Sequence, residues 1–300
     1  HHPEWFARHG FVSLILDTLQ LGEIPGLHHG LHRENRWWWL NRGYTPAGIE
    51  TWNAVRALDY LETRPEVDAS RIAMTGRSGG GITTWWTAAV DERISVAVPV
   101  AGVTDLRNYV LDGAVEGHCD CMFMINRYRW DFDLLAAMVA PRPLLLENSD
   151  QDSIFPLDGV MRVYQSLRSV YTEAKVLDRL GLVITPGPHR DTQDIHVPAF
   201  RWIARWLSGE EIMFDEPARR TLSATQLKVF DKVPDDALNG RIDEVFRPAA
   251  VLPPIPADHD ALLAQRGDLR RLRTEAARMY VEDIGGDALP GRPADARGRP

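Results

Sequence analysis

At 300 residues, with 44% hydrophobic side chains, the chain is long enough for one large domain, or one domain with an appendage, around a proper core. A formal net charge of −8, with no basic patch or RNP-like motif, excludes nucleic acid as a partner and favours a small-molecule or carbohydrate substrate. The longest apolar run, residues 94–103, is far short of the roughly 20 residues a membrane span needs, so no membrane partner is expected.

Two cysteines, Cys119 and Cys121, are too close for an easy intrachain bridge and too few for a disulfide framework. The chain opens at His1 with neither methionine nor signal peptide, so its true beginning is expected to lie elsewhere. The compartment is left open, with export slightly favoured over the cytoplasm. The oligomeric state is likewise open.

In chain order, residues 11–17 form a continuous β-rich apolar run, the pattern of a strand covered on both faces of a parallel sheet. A long loop, residues 18–44, follows and holds His28, His29, His32 and the triplet Trp37, Trp38 and Trp39. Thr45 and Pro46 then open a helix as N-cap and first helical residue, with Ala54, Ala57, Leu58 and Leu61 on one face and an end before Pro65. Residues 71–75 read as a strand, 82–90 as a helix and 94–100 as a buried strand. This βαβαβ pattern predicts a parallel sheet with right-handed crossovers.

About forty residues separate that strand from the next, at 142–147, more than a crossover needs. The stretch 104–140 is a candidate cap, containing Glu116, His118, Tyr128 and Trp130. A helix near 159–170, a fifth strand at 181–185 and a helix at 198–207 complete the unit. The predicted domain spans 1–209. Residues 210–284 read as a linker and charged helical extension with a thin stripe of Leu262, Leu269, Leu272 and Ala276, and 285–300 as a disordered tail.

Chemistry concentrates where the strand at 71–75 meets its helix. Gly76, Arg77, Ser78, Gly79 and Gly80 fit G-x-S-x-G, the turn in which a strand bends so sharply into a helix that only small neighbours fit around the serine. A serine hydroxyl needs an imidazole to take its proton, and the imidazole needs a carboxylate to fix its tautomer. Asp152 and His189 follow in the order Ser, Asp, His, each in a loop past a strand end on the same sheet edge. Asp150 and Asp105 are the alternative acids, and His196 the alternative imidazole. A loop aspartate otherwise caps a turn. The Gly79 N–H is the expected oxyanion donor. Lower-ranked substrate contacts are Arg77, which would hold an acidic group or pair with a cap carboxylate, and Trp38, Trp130 and His118. Tryptophans beside a cleft stack on sugars, although most pack in cores. His118 with Cys119 and Cys121, like His28, His29 and His32, has incomplete zinc spacing, so neither metal nor cofactor is expected.

Residues 5–207 resemble the α/β-hydrolase superfamily, and within it acetyl-xylan-esterase-like and dienelactone-hydrolase-like proteins, a branch close to prolyl-oligopeptidase-type domains. The resemblance is carried by Val67, Asp68, Arg71 and Ile72, by Gly76, Arg77, Ser78 and Gly80, by residues 152–156, and by Gly187, Pro188 and His189. It implies a mostly parallel sheet flanked by helices and a metal-free Ser-Asp-His esterase that cleaves a small acyl or carbohydrate ester through an acyl-enzyme. Gly79 departs from the glutamine that many acetyl xylan esterases carry there. The alternatives are a serine peptidase of the prolyl-oligopeptidase type and a non-catalytic glycan binder. Counted against such a sheet, residues 11–17 fall where the fourth strand belongs. The chain therefore reads as a fragment that lacks the N-terminal strands and a second oxyanion donor, and is expected to be a poor esterase as it stands.

Overall fold

Near-unbroken apolar runs such as residues 94–100, which bury six of seven side chains, suit only a strand sandwiched between two layers. The computed structural model describes residues 2–31, 33–114, 120–126, 128–209, 221–246, 256–268 and 270–271. Its sheet consists of β1 (Ile72–Arg77), β2 (Ile94–Val100), β3 (Leu144–Ser149) and β4 (Leu180–Thr185), all parallel and in spatial order β1-β2-β3-β4. The chain divides into two compact units, His1–Arg247 and Pro248–Pro300. In the second, residues 259–268 are helical.

Helices cover both faces of the sheet. On one face α3 (Pro46–Glu62), α4 (Gly79–Val90), α5 (Phe132–Ala137) and α6 (Leu157–Glu173) bury Leu58, Ile82, Trp85, Phe132, Val163 and Leu167 against Ile72, Ile94, Leu144 and Leu146. On the other, α1 (His2–Arg8) and α7 (Gln193–Ser208) set Trp5, Phe6, Ile195, Ala199, Phe200 and Ile203 against Val96, Val98, Val100 and Leu145. The four α7 residues recur at helical spacing, which is why a single stripe meets the sheet. Helix α3 starts as its sequence dictates: the Thr45 hydroxyl accepts a hydrogen bond from the Gly48 N–H at 3.0 Å, and Pro46 occupies a position that needs no amide donor.

Three expectations are corrected. Residues 11–17 are not a strand, so the sheet has four strands rather than five; residues 12–16 are exposed and pair with no described strand. An apolar run becomes a buried strand only when a neighbour satisfies its amides, and this one has none among the described residues. Cys121, in a 3-10 turn (Asp120–Met122), is disulfide-bonded, against the expectation that its spacing makes a bridge difficult. Its sequence neighbour Cys119 lies outside the described residues. Third, the first compact unit runs past residue 209. Asp243, next to the start of α9 (Ile242–Val245), accepts hydrogen bonds from the Trp39 indole at 3.1 Å and from Arg36, and Ile242 and Phe246 pack with Leu31, Trp39 and Tyr44.

One buried acid stands out in this frame. Glu147 is 2% exposed, its register partners are Val100 and Val183, and neither carboxylate oxygen has a hydrogen-bond partner among the described residues. Burial pushes its pKa well above the usual carboxyl range. Because the folded value lies above the unfolded one, its contribution to stability is complete below the ordinary carboxyl range. That contribution drains away as pH rises through the unfolded value toward the folded one. Glu147→Leu removes an unpaired buried polar group worth about 1–3 kcal/mol. Thermal melts from pH 4 to pH 8 should show the variant melting higher than the parent, with the gap widening as pH rises.

Candidate active site

All four strands end at one edge of the sheet, where an open α/β sheet places its sites. At the end of β1, Ser78 has φ 57° and ψ −117°, a strained backbone for a residue with a Cβ. Hydrogen bonds hold it there: its N–H donates to the Val100 carbonyl at 2.8 Å, and its own carbonyl accepts from Ile82 N–H at 2.9 Å. Close approach requires two of the nearby glycines, Gly76 and Gly81, whereas a Cβ on Gly80 would meet nothing within 4 Å. A Cβ on Gly76 would stand 2.6 Å from the Gly80 backbone, and one on Gly81 would stand 2.6 Å from the Val100 carbonyl oxygen. Gly79 begins α4, so its N–H is among those that a helix N-terminus leaves without an intrahelical acceptor.

The loop after β3 carries Asp152, which is 4% exposed. Its Oδ1 accepts from the N–H groups of Ile154 and Phe155, both at 2.9 Å, and its Oδ2 lies 2.6 Å from His189 Nδ1. The buried Asn148 side chain ties this loop down by donating to the Phe155 carbonyl at 2.9 Å. His189 stacks on the Phe155 ring at 5.7 Å. Because Nδ1 faces the carboxylate, Nε2 is left as the nitrogen for a partner in front of the sheet.

The alternative acids are engaged elsewhere. Asp150 accepts from Gly187 N–H at 2.8 Å, and Asp105 pairs with Arg162 and accepts from Asn108 N–H. His196 is buried in α7, 3.5 Å from Asp191. Arg77 points to Asp191, with Nε 3.1 Å from Oδ1. The carboxyl of Asp191 is held below the usual range by the neighbouring His196 first, and by the Arg77 charge. Trp38 is partly exposed under the Arg42 guanidinium, and Trp130 is partly exposed and stacked on Tyr128. Trp39 and Trp85 are core residues with no exposed surface. His118 lies outside the described residues. Among the described residues no group of three His, Cys, Asp or Glu side chains is arranged to hold a metal ion.

Sequence reasoning missed a second buried imidazole–carboxylate pair, His28 Nδ1 to Glu50 Oε1 at 2.7 Å, which touches the first turn of α4 through Thr83. Its signal was legible: Glu50 sits four residues before Ala54 and eight before Leu58, on the apolar stripe of α3.

With this geometry in place, similarity to known proteins is informative. The signature of the Prolyl oligopeptidase family (peptidase S9) matches residues 38–187. That is half of the chain, from ahead of α3 to Gly187, two residues short of His189, and the chain belongs to this family. It is 29% identical over 161 residues to YtaP of Bacillus subtilis (strain 168), covering 53% of this chain and 54% of that protein. It is 27% identical over 188 residues to a protein of Phanerochaete carnosa named 4-O-methyl-glucuronoyl methylesterase, covering 53% of this chain and 46% of that one. Among solved structures, a glucuronoyl esterase from Solibacter usitatus aligns at TM-score 0.48 and 22% identity, over 54% of this chain and 50% of that one. The chain thus spans about half the length of the curated relatives it matches.

Packing at the elbow leaves no room for a side chain on Gly76. Gly76→Ala should cost about 1–3 kcal/mol through overpacking against backbone, read as a lower melting temperature. It should also slow reaction of Ser78 with a fluorophosphonate.

Proposed function

We propose that this chain is a serine hydrolase of carboxylic esters, with Ser78 as nucleophile, His189 as general base and acid, Asp152 as the acid that orients the imidazole, and Gly79 N–H as an oxyanion donor. The single observation supporting it most is the 2.6 Å bond from His189 Nδ1 to a fully buried, backbone-anchored Asp152, together with the strained Ser78 at the end of β1. The substrate class follows from the relatives: one is named a 4-O-methyl-glucuronoyl methylesterase and another, 24% identical over 165 residues, a carbohydrate esterase. These names support a carbohydrate ester as the substrate in this reading.

In the first half-reaction Ser78 Oγ attacks the ester carbonyl while His189 Nε2 takes the hydroxyl proton. The carbonyl oxygen becomes an oxyanion facing Gly79 N–H at the α4 N-terminus, where both the amide and the helix dipole favour negative charge. The C–O bond to the alcohol breaks, and the proton on His189 passes to that leaving oxygen. Water then attacks the acyl-enzyme, gives a proton to His189, and releases the acid as the proton returns to Ser78 Oγ. Asp152 stays ionised throughout and stabilises the imidazolium, its Oδ1 lone pairs already held by two amides.

Ser78→Ala should remove nearly all turnover, a loss on the order of 10⁶-fold in serine hydrolases, and Asp152→Asn should lower kcat by roughly 10⁴-fold. Survival of p-nitrophenyl acetate hydrolysis in Ser78→Ala would sink the assignment. The family match favours one rival, a peptidase. Parallel assays on acetylated xylan, a glucuronate methyl ester and a proline-containing peptide separate them: the ester reading expects turnover of an ester, and preferential peptide cleavage reverses it.

A further inference from the structure

The order of the strands sets a spatial problem. Ser78 leaves β1 at one end of the sheet, and His189 follows β4 at the other. Three strand spacings of about 4.8 Å separate them, roughly 14 Å, whereas proton transfer needs the imidazole within hydrogen-bond reach of the hydroxyl. The histidine loop must therefore cross in front of β3 and β2.

The anchors on its near side all come from β3 and the loop after it. Ser149 Oγ donates to the Pro188 carbonyl at 3.0 Å, Asp150 accepts from Gly187 N–H at 2.8 Å, Gln151 N–H donates to the Gly187 carbonyl at 3.0 Å, and Asp152 holds His189 at 2.6 Å. These bring residues 187–189 as far as β3. Among the described residues, the polar contact that ties the loop to β1 is the ion pair between Arg77 Nε and Asp191 Oδ1 at 3.1 Å. One partner is adjacent to Ser78 in sequence, and the other is two residues from His189.

We propose that Arg77 and Asp191 form a clamp that sets the position of His189 relative to Ser78, making both of them positioning residues for the reaction proposed above, on which this inference rests. Three features support the clamp. Arg77 lines a small cavity between β1 and α7 together with Thr75, Val100, Asp191, His196 and Phe200, so the guanidinium lies on the α7 side of the sheet. Asp191 is braced from below by His196, which is 4% exposed, with its Nε2 3.5 Å away. The Asp191 carboxyl is held below its ordinary range, first by the neighbouring His196 and also by the Arg77 charge. The pair is partly solvated, at 24% and 44% side-chain exposure, so its worth to global stability is small. Its leverage is geometric, since a displacement of about 1 Å in a reacting group can cost on the order of 10²-fold in rate.

The test uses the full chain with Arg77→Met, Asp191→Asn, the double variant and the exchanged pair Arg77→Asp with Asp191→Arg. Hydrogen exchange across residues 186–192 reports the clamp itself, whatever the activity. The rate of Ser78 labelling by a fluorophosphonate, with kcat and KM for p-nitrophenyl acetate and for a glucuronate methyl ester, reports its consequence. Each single variant should speed exchange in the loop. Each should also lower labelling and kcat for both esters by about 10²-fold, with KM and melting temperature close to the parent's. The double variant should be no slower than either single, the signature of a coupled pair, and the exchanged pair should recover part of the rate. Unchanged exchange in the loop overturns the proposal. So does a KM increase confined to the charged uronate ester in Arg77→Met with Asp191→Asn unaffected, because Arg77 would then be a substrate contact. Failure of the esterase reading is recognised separately, by Ser78→Ala retaining activity or by the parent failing to label at Ser78.

Discussion

The site hangs on the close approach of two backbones. For β1 to turn into α4 within one residue, the first turn of the helix must press against the ends of β1 and β2, and Gly76 and Gly81 permit it because any Cβ there would collide with main chain. A non-glycine residue at positive φ costs of order 1–3 kcal/mol. It is held at Ser78 by hydrogen bonds to Val100 and Ile82 and by the apolar packing of α4, whose Ile82, Trp85 and Ala88 are buried against the sheet. The helix that follows places its unsatisfied first-turn amides next to Ser78 in the chain. Every chemical property proposed for the site presupposes this turn.

A gradient of polarity runs along β3. Its first half, Leu144, Leu145 and Leu146, is core; its second, Glu147, Asn148 and Ser149, is equally buried but polar. Asn148 and Ser149 repay burial by fixing the loops that carry Asp152 and His189. Glu147 has no such return: its register partners are Val100 and Val183, and burial pushes its pKa well above the usual carboxyl range. The strand gives up core quality where it approaches the chemistry, a trade common at functional sites.

Much of the fold was legible because local signals and tertiary demands agree. Thr45 and Pro46 begin a helix in any context that permits one, residues 94–100 can only be a buried strand, and the elbow glycines carry their own steric logic. Residues 11–17 show the limit: their composition matches a buried strand, yet strand formation depends on a hydrogen-bonding neighbour, which composition does not contain. In the sequence Asp152 is set apart from Asp150 and Asp105 only by lying in the segment 152–156 that carries the resemblance, whereas in space the three differ by what they hold: an imidazole, a backbone amide and an arginine. The tryptophans divided in the same way, Trp39 and Trp85 into the core and Trp38 and Trp130 to the surface, with nothing in their spacing to separate them.

By itself the sequence determined the parallel α/β plan, the elbow at Ser78 and the order in which serine, acid and histidine are presented, because each depends on residue type and on distances along the chain. Only the tertiary structure decided that Arg77 faces Asp191 rather than the front of the sheet, that Glu147 lacks a hydrogen-bond partner among the described residues, and that His28 and Glu50 meet beside Thr83 of α4. These are contacts between residues far apart in sequence, set by strand order and by the pleat that sends alternate side chains to opposite faces. Pattern along a chain records which residues share a face, but not which distant residue that face will meet.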